Sequence, residues 1–438
     1  MGIKVAKFGG TSVADGIQLR KTKEIIEADS DRKYIVVSAP GKRFDGDNKV
    51  TDLLYLCQAS MEHHLPYEQL FQVIADRFTA VKANIKSDVD IDREFEIIKE
   101  DLKNGCSPDY IASRGEYLNA MLIADFLGYD FVDTEGLIIF DEKGKLLRDK
   151  TDEALRTELA KHEKAVLPGF YGTSAVNGKV RTFSRGGSDI TGALVARAVG
   201  ADVYENWTDV SGFLMADPRI VENPKPINRI SYKELRELSY MGASVLHEDA
   251  IYPARIAEIP INIRNTNCPQ DPGTLITSEP DETDNRVITG IAGSKDFTVI
   301  ALYKNMMSSE RGFMRRIFAI LDDFNITFEH LPSGIDTVSV VVSNDSLDGQ
   351  LEELLDAFSK QLNPDSMEYY DDIAMIATVG SRMSKKPGVS AQLFKSLADA
   401  NINIRMIDQG SSEMNIIVGV ENKDFENAIR AIYNGFVE

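Results

Sequence analysis

A lysine and two adjacent glycines follow the short apolar run Ile3-Lys4-Val5-Ala6, in the string Lys7-Phe8-Gly9-Gly10-Thr11-Ser12-Val13. Those residue types suit an anion. The run predicts a strand, the glycines let backbone N–H groups approach phosphate oxygens with no Cβ in the way, and Lys7 adds a full positive charge. The string is neither GxxxxGK[ST] nor a GxGxxG that opens a helix, so alone it reads equally well as a turn. A second glycine-rich string, Ser184-Arg185-Gly186-Gly187-Ser188-Asp189, runs into the apolar stretch 190–198 and predicts a helix start. Ser188 and Asp189 suit a first helical turn, and the positive end of the helix dipole favours an anion. Its plainer reading is a strand-to-helix turn capped by Asp189.

Four more strings stand along the chain: Ser113-Arg114-Gly115-Glu116, Trp207-Thr208-Asp209-Val210-Ser211-Gly212, Ala216-Asp217-Pro218-Arg219 and Gly242-Ala243-Ser244-Val245-Leu246-His247. With the first two they resemble the amino acid kinase family, and Lys7–Val13 is similar to the opening of its aspartokinase branch. The resemblance implies transfer of the γ-phosphoryl of ATP, which carries Mg²⁺, to the side-chain carboxylate of L-aspartate. The product would be 4-phospho-L-aspartate, the first intermediate toward lysine, threonine and methionine. A carboxylate is already ionised and needs no general base, so alignment and charge neutralisation should supply most of the rate.

By the same resemblance Lys7 is the cation on the transferring phosphoryl, Gly9 and Gly10 contact phosphate, Asp189 organises the lysine, and Ser188 offers a hydroxyl or N–H. Glu116 corresponds to the residue for the substrate amine and Arg185 to that for its carboxylate. Ser38 and Thr51 match further substrate contacts, although the loop that carries Phe44–Asn48 is longer than in many members. Thr208, Asp209 and Arg219 match nucleotide positions. The chain departs from many relatives at Leu214 (tyrosine), Ser244 (lysine) and Glu248 (proline), which leaves the adenosine contacts unassigned. A kinase for another amino acid, or a sensor that only binds nucleotide, is the competing reading.

The 438 residues, 43% hydrophobic, are enough for two or three domains. With 49 basic against 69 acidic residues the net charge of −20 argues against a nucleic-acid or anionic-membrane partner. Cys57, Cys106 and Cys268 form no CxxC pair and suit a reducing cytoplasm. None of the five histidines has metal-ligand spacing, so no protein-held metal is expected, and no apolar run is long enough to span a membrane.

Up to about residue 265, strand-like runs such as Tyr34–Val37, Ala165–Leu167 and Val203-Tyr204 alternate with helical segments, which predicts an α/β sheet sandwiched by helices. Turn formers crowd 265–285 and predict a boundary near 285. Beyond it the sequence repeats with a shift of 76: Gly312 meets Gly388, Phe313, Ile317 and Leu321 meet Val389, Leu393 and Leu397, and Val338–Val342 meets Met414–Val418. Each copy reads as the split βαβ pattern of ferredoxin-like folds, and the pair resembles ACT domains. The first copy has a final strand at Met367–Tyr370, whereas the second lacks one and 287–293 is an orphan strand. The expected domains are therefore 1–285 for catalysis, 297–371 for an inserted first ACT copy, and 287–296 plus 372–438 for the second.

ACT pairs join across a homodimer and bind an end-product amino acid. Here the corresponding junction is Met307, Gly312, Phe313 and Met314 against Glu329, Asp336, Thr337 and Val338, and lysine is the expected effector because Glu329 and Asp336 offer two acids to an extra ammonium. The chain length leaves no room for the homoserine dehydrogenase fused to some relatives.

Overall fold

Strands β1 (Lys4–Phe8) and β2 (Arg32–Val37) carry apolar side chains buried on both faces, the pattern of a parallel sheet covered by helices on each side. They are central in an eight-stranded sheet with β3 (Asp130–Phe131), β4 (Ala165–Pro168), β5 (Val203–Thr208), β6 (Arg229–Ser231), β7 (Ile261–Asn265) and β8 (Thr274–Thr277). The order is β6-β8-β7-β5-β1-β2-β4-β3, and every adjacent pair is parallel except β7 with β8. The chain leaves β1 for β2 on one side and returns later to β5 on the other. Open α/β sheets bind ligands beyond the carboxyl ends of their strands where the order reverses in this way. Those ends are Phe8, Val37 and Thr208.

The computed structural model describes residues 2–184, 186–242, 248–280 and 285–437. Two compact units divide it: Met1–Phe213, Pro226–Tyr232 and Val245–Asp281 form the first, and Leu214–Lys225, Lys233–Ser244 and Glu282–Glu438 the second. Segments 214–225 and 233–242, which lie inside the region expected to be catalytic, group with the C-terminal part.

In the first unit the sheet packs against α1 (Gly16–Glu27), α2 (Val50–Glu62), α3 (Pro108–Leu127) and α4 (Gly187–Val199). Helix α3 has a complete set of end signals: the Ser107 hydroxyl accepts the Tyr110 N–H, Pro108 opens the first turn, and Gly128 closes the helix at φ 68°. One apolar core links β1 and β2 to α1, α2 and α3. At its centre the rings of Phe8 and Trp207 stack at 5.9 Å.

In the second unit β9 (Gly290–Tyr303), β10 (Thr337–Ser343), β11 (Ser366–Val379), β12 (Met406–Asp408) and β13 (Asn415–Glu421) form one sheet in the order β10-β9-β11-β13-β12. Its helices are α5 (Tyr232–Tyr240, with the unit from Lys233), α6 (Phe313–Asp323), α7 (Leu351–Leu362), α8 (Val389–Asp399) and α9 (Phe425–Val437). The sequence suggests separate strands at 287–293 and 298–301, and at 367–370 and 374–377; the structure fuses each pair into one strand of 14 residues. Residues 290–294 of β9 pair with 375–379 of β11, and 299–303 with 366–370, with register shifts around Phe297 between the two stretches. A bulge there bends the paired strands without ending the pairing. Gly312 and Gly388, 76 residues apart, precede α6 and α8 at φ 77° and 92°, so both copies need a glycine at the helix entry.

Candidate active site

Lys7 is the penultimate residue of β1 and Asn206 its partner on β5, so both side chains arrive at the carboxyl edge of the sheet where the strand order reverses. Lys7 is buried, and its Nζ lies 2.6 Å from Asp189 Oδ1. The Asn206 amide ties the two together: its Nδ2 donates to Asp189 Oδ1 at 2.8 Å, and its Oδ1 accepts from Lys7 Nζ at 3.5 Å. Tyr204 OH donates to the Asp189 carbonyl at 3.1 Å. Asn206 is missing from the sequence reading; its signal was its place on β5 one residue before the Trp207–Gly212 string.

Asp189 is not the cap of α4. Gly186 holds that position at φ 58° with no side-chain cap, Ser188 is buried in the first turn, and the Asp189 carboxylate turns to Lys7 instead. The helix therefore keeps its leading N–H groups and dipole for a ligand. Across the sheet edge, Gly9 N–H donates to Trp207 O at 3.0 Å, so it serves the strand pairing and the short helix Gly10–Val13 supplies the remaining donors. Gly41 N–H donates to Gly10 O at 2.8 Å. A Cβ on Gly41 would lie 2.5 Å from the Gly10 carbonyl carbon, closer than packing allows.

Glu116 projects from α3 and is only 5% exposed. The Ala39 N–H reaches its carboxylate, its Oε2 has no hydrogen-bond partner, and burial pushes its pKa up to about 8. Arg114, two residues before Glu116 on the same helix, lies over Tyr110 and Tyr117 at 4.4 and 4.5 Å and donates to Ser113 Oγ. Asn119, also absent from the sequence reading, donates to Ser38 O at 2.7 Å and fixes the 38–41 segment to α3. Thr51 sits half-buried in the first turn of α2. The loop before it is strapped by Arg77, which donates to Gly41 O and to Asn48 O, the latter at 2.7 Å, and faces Asp47 at 3.5 Å. Hydrogen bonds from Arg43, with Arg77 close by, hold the Asp47 carboxyl well below its usual range. Arg185 lies outside the described residues, as does Ser244.

A model of the amino acid kinase family matches residues 2–265, and an ACT domain model matches 376–436. Aspartokinase 3 of Bacillus subtilis is 37% identical over 99% of this chain and 98% of its own length. The chain belongs to the aspartokinase branch of the amino acid kinase family. A crystal structure of Clostridium acetobutylicum aspartate kinase shares 52% identity with it at a TM-score of 0.92, covering all of both chains. Aspartokinase III of E. coli, solved with aspartate and ADP and also with lysine and aspartate, matches at 27% and 26% identity and TM-scores of 0.74 and 0.75, again over both full lengths. The family and the fold class expected from the sequence are both borne out.

Not every residue that the aspartokinase resemblance assigns lies in the same unit. Thr208, at the end of β5, hydrogen-bonds Asp209 at 3.3 Å, and its carbonyl accepts the Thr266 N–H at 2.9 Å. Arg219 belongs to the second unit, where its exposed guanidinium pairs with Asp217 at 2.6 Å. Leu214 is in that unit too.

The expected effector residues are all in the second unit, but they do not converge within one chain. Met307 and Phe313 are buried around the entry to α6 beside Gly312 and the half-buried Met314, and Val338 is buried at the start of β10. Ser308 N–H donates to Ile335 O and Lys304 N–H to Asp336 O, which docks the turn carrying Asp336 and Thr337 on this entry. Glu329 is elsewhere. The bridges His330 to Val341 and Ser333 to Val338 set the hairpin register, so Glu329 and the turn are separated by about 13 Å or more of strand. Glu329 instead accepts a hydrogen bond from Tyr240 of α5. One lysine ammonium cannot meet both acids of one chain. In the second copy a cavity of about 600 Å³ opens between Met383–Ser390 and Gln409–Glu413, positions related by the 76-residue shift to the first-copy junction.

Proposed function

We propose that this chain transfers the γ-phosphoryl of ATP to the β-carboxylate of L-aspartate, giving 4-phospho-L-aspartate and ADP. The reading rests on the Lys7–Asp189–Asn206 cluster at the strand reversal. Phosphoryl transfer to a carboxylate brings two anions together, and a buried ammonium fixed by an aspartate and an amide is a charge already in place when that repulsion peaks. The uncapped start of α4 and the Gly10–Val13 turn offer N–H groups for phosphate oxygens, and Thr208 and Asp209 border the nucleotide. A carboxylate oxygen of aspartate attacks phosphorus as the bond to the ADP oxygen breaks, with no proton to remove.

Glu116 would take the substrate amine, with Ser38 and Thr51 beside it and Arg185 on a carboxylate. Among the described residues no cluster of three or more acids, histidines or cysteines could cage a metal. Mg²⁺ would arrive on the nucleotide phosphates and offset their charge there. Catalysis belongs to 1–285, with ACT copies at 297–371 and at 287–296 plus 372–438. The copies would dimerise the protein and lower its activity when lysine binds, as the lysine-bound structure of E. coli aspartokinase III suggests for this chain. The cytoplasm is the assigned compartment.

The test is a coupled ADP-release assay with purified protein, ATP, Mg²⁺ and aspartate, the acyl phosphate being trapped with hydroxylamine. Aspartate should stimulate ADP release and yield hydroxamate in equal amount. ADP release that ignores aspartate would overturn the reading.

A further inference from the structure

We propose that Glu116 carries a proton in the empty site and releases it to solvent when the ammonium of the substrate arrives, so that aspartate binding is coupled to loss of a proton. This rests on reading the pocket as an amino acid site. The geometry that leads to it is a carboxylate stranded among committed partners. Glu116 is buried, the Ala39 N–H is a neutral donor, and Oε2 has nothing to accept from. Arg114, the cation of the same helix, spends its donors on Ser113 Oγ and its faces on Tyr110, Tyr117 and Tyr171. Asn119 is turned to Ser38 O. Among the described residues, the groups of other elements that reach Glu116 electrostatically are two phenols, Tyr55 on α2 and Tyr171 on the strand 171–174, and neither can supply a positive charge.

A buried carboxylate with no cation neutralises itself by binding a proton. Desolvation is the largest influence on Glu116, exceeding the opposing effects of the Ala39 N–H, its own backbone N–H and Arg114, and it pushes the group up to about 8. An incoming ammonium reverses the balance, because it supplies a charge and a donor for Oε2. The O–H bond of the carboxyl breaks, the proton goes to buffer, and a carboxylate–ammonium pair remains; no electrons are transferred. At pH 7 a group with this acidity is roughly nine-tenths protonated, whereas an ordinary glutamate would be ionised. Aspartate affinity should then fall roughly tenfold per pH unit below about 8, with ATP affinity spared.

Titration calorimetry of the full chain with aspartate, in two buffers of different ionisation enthalpy, counts the protons. At pH 7 roughly nine-tenths of a proton should leave per aspartate bound, falling to about half at pH 8. Succinate, which lacks the ammonium, should bind without release, and Glu116→Gln should abolish release with aspartate. Aspartate binding with no net proton change would overturn the proposal, as would equal release with succinate or in the glutamine variant. Failure of the kinase reading looks different: no binding heat with aspartate and no aspartate-dependent ADP release. Where calorimetric affinity is too low, the pH profile of kcat/KM for aspartate gives the same answer, rising to a break near 8 in wild type and lacking that break in Glu116→Gln.

Discussion

Lys7 and Asp189 are far apart in the sequence and meet at 2.6 Å because β1 and β5 are neighbours and α4 begins beside them. Removing the ammonium should therefore cost transition-state stabilisation rather than folding, and Lys7→Ala should lower kcat by roughly a hundredfold or more. The check is kcat alongside a circular dichroism melt that stays near wild type; a variant with near-normal turnover would detach the opening motif from catalysis. Glu116 makes a second prediction, about stability. Its folded acidity of about 8 lies above the ordinary glutamate value of 4.5, so the folded chain binds more protons than the unfolded chain between those limits. Stability of the empty protein should consequently decline as pH rises from about 5 to 8, and the contribution is on the order of a few kcal/mol. Glutamine mimics the protonated carboxyl, so Glu116→Gln should melt higher than wild type at pH 8 and about equally at pH 5. Parallel melting curves across that range would show that the carboxyl is ionised in the folded state.

Among the elements, what the sequence made legible was local: the β1 glycines, the glycine entry to α4, and the 76-residue repeat, whose helix-entry glycines both sit at positive φ. What it left dark depends on long-range neighbours. Asn206 matters because it stands beside β1 in register, Asn119 because α3 faces the 38–41 segment, and neither residue type signals that alone. The fusion of expected strands into β9 and β11 was hidden for a similar reason, since Ser294–Phe297 reads as an interruption until the partner strand absorbs the register shift. Gly41 is a further case. Its backbone touches Gly10 and Thr11, and a methyl group there would force apart the β1 turn and the strapped loop 41–48. Gly41→Ala should therefore reduce kcat/KM by about tenfold or more and lower the melting temperature, since overpacking against backbone typically costs about 1–3 kcal/mol. An alanine variant with wild-type kinetics would mean that the loop can retreat without disturbing the phosphate turn.

For the molecule as a whole, the candidate catalytic side chains around Lys7 belong to the first unit and the effector candidates to the second, so any effect of lysine on turnover is a coupling between two compact units. Such couplings are typically about 1–3 kcal/mol, and they require lysine to bind one activity state better than another. Within one chain the hairpin register keeps a single lysine ammonium from meeting both Asp336, beside the α6 entry, and Glu329, beside Tyr240. The α6 entry is the better site: its glycine-led helix start can receive the lysine carboxylate while Asp336 receives an ammonium. Lysine should accordingly inhibit wild type, and Asp336→Ala should raise the half-inhibiting concentration by about tenfold with uninhibited kcat unchanged. In a site built from a single chain, Glu329→Ala would shift that concentration by no more than about twofold. Equal weakening by both substitutions would mean that the second acid comes from another copy of the chain, and lysine should then drive dimerisation in sedimentation velocity. Initial rates across a lysine titration of the three proteins separate these outcomes, and absence of inhibition in wild type would remove lysine as the effector.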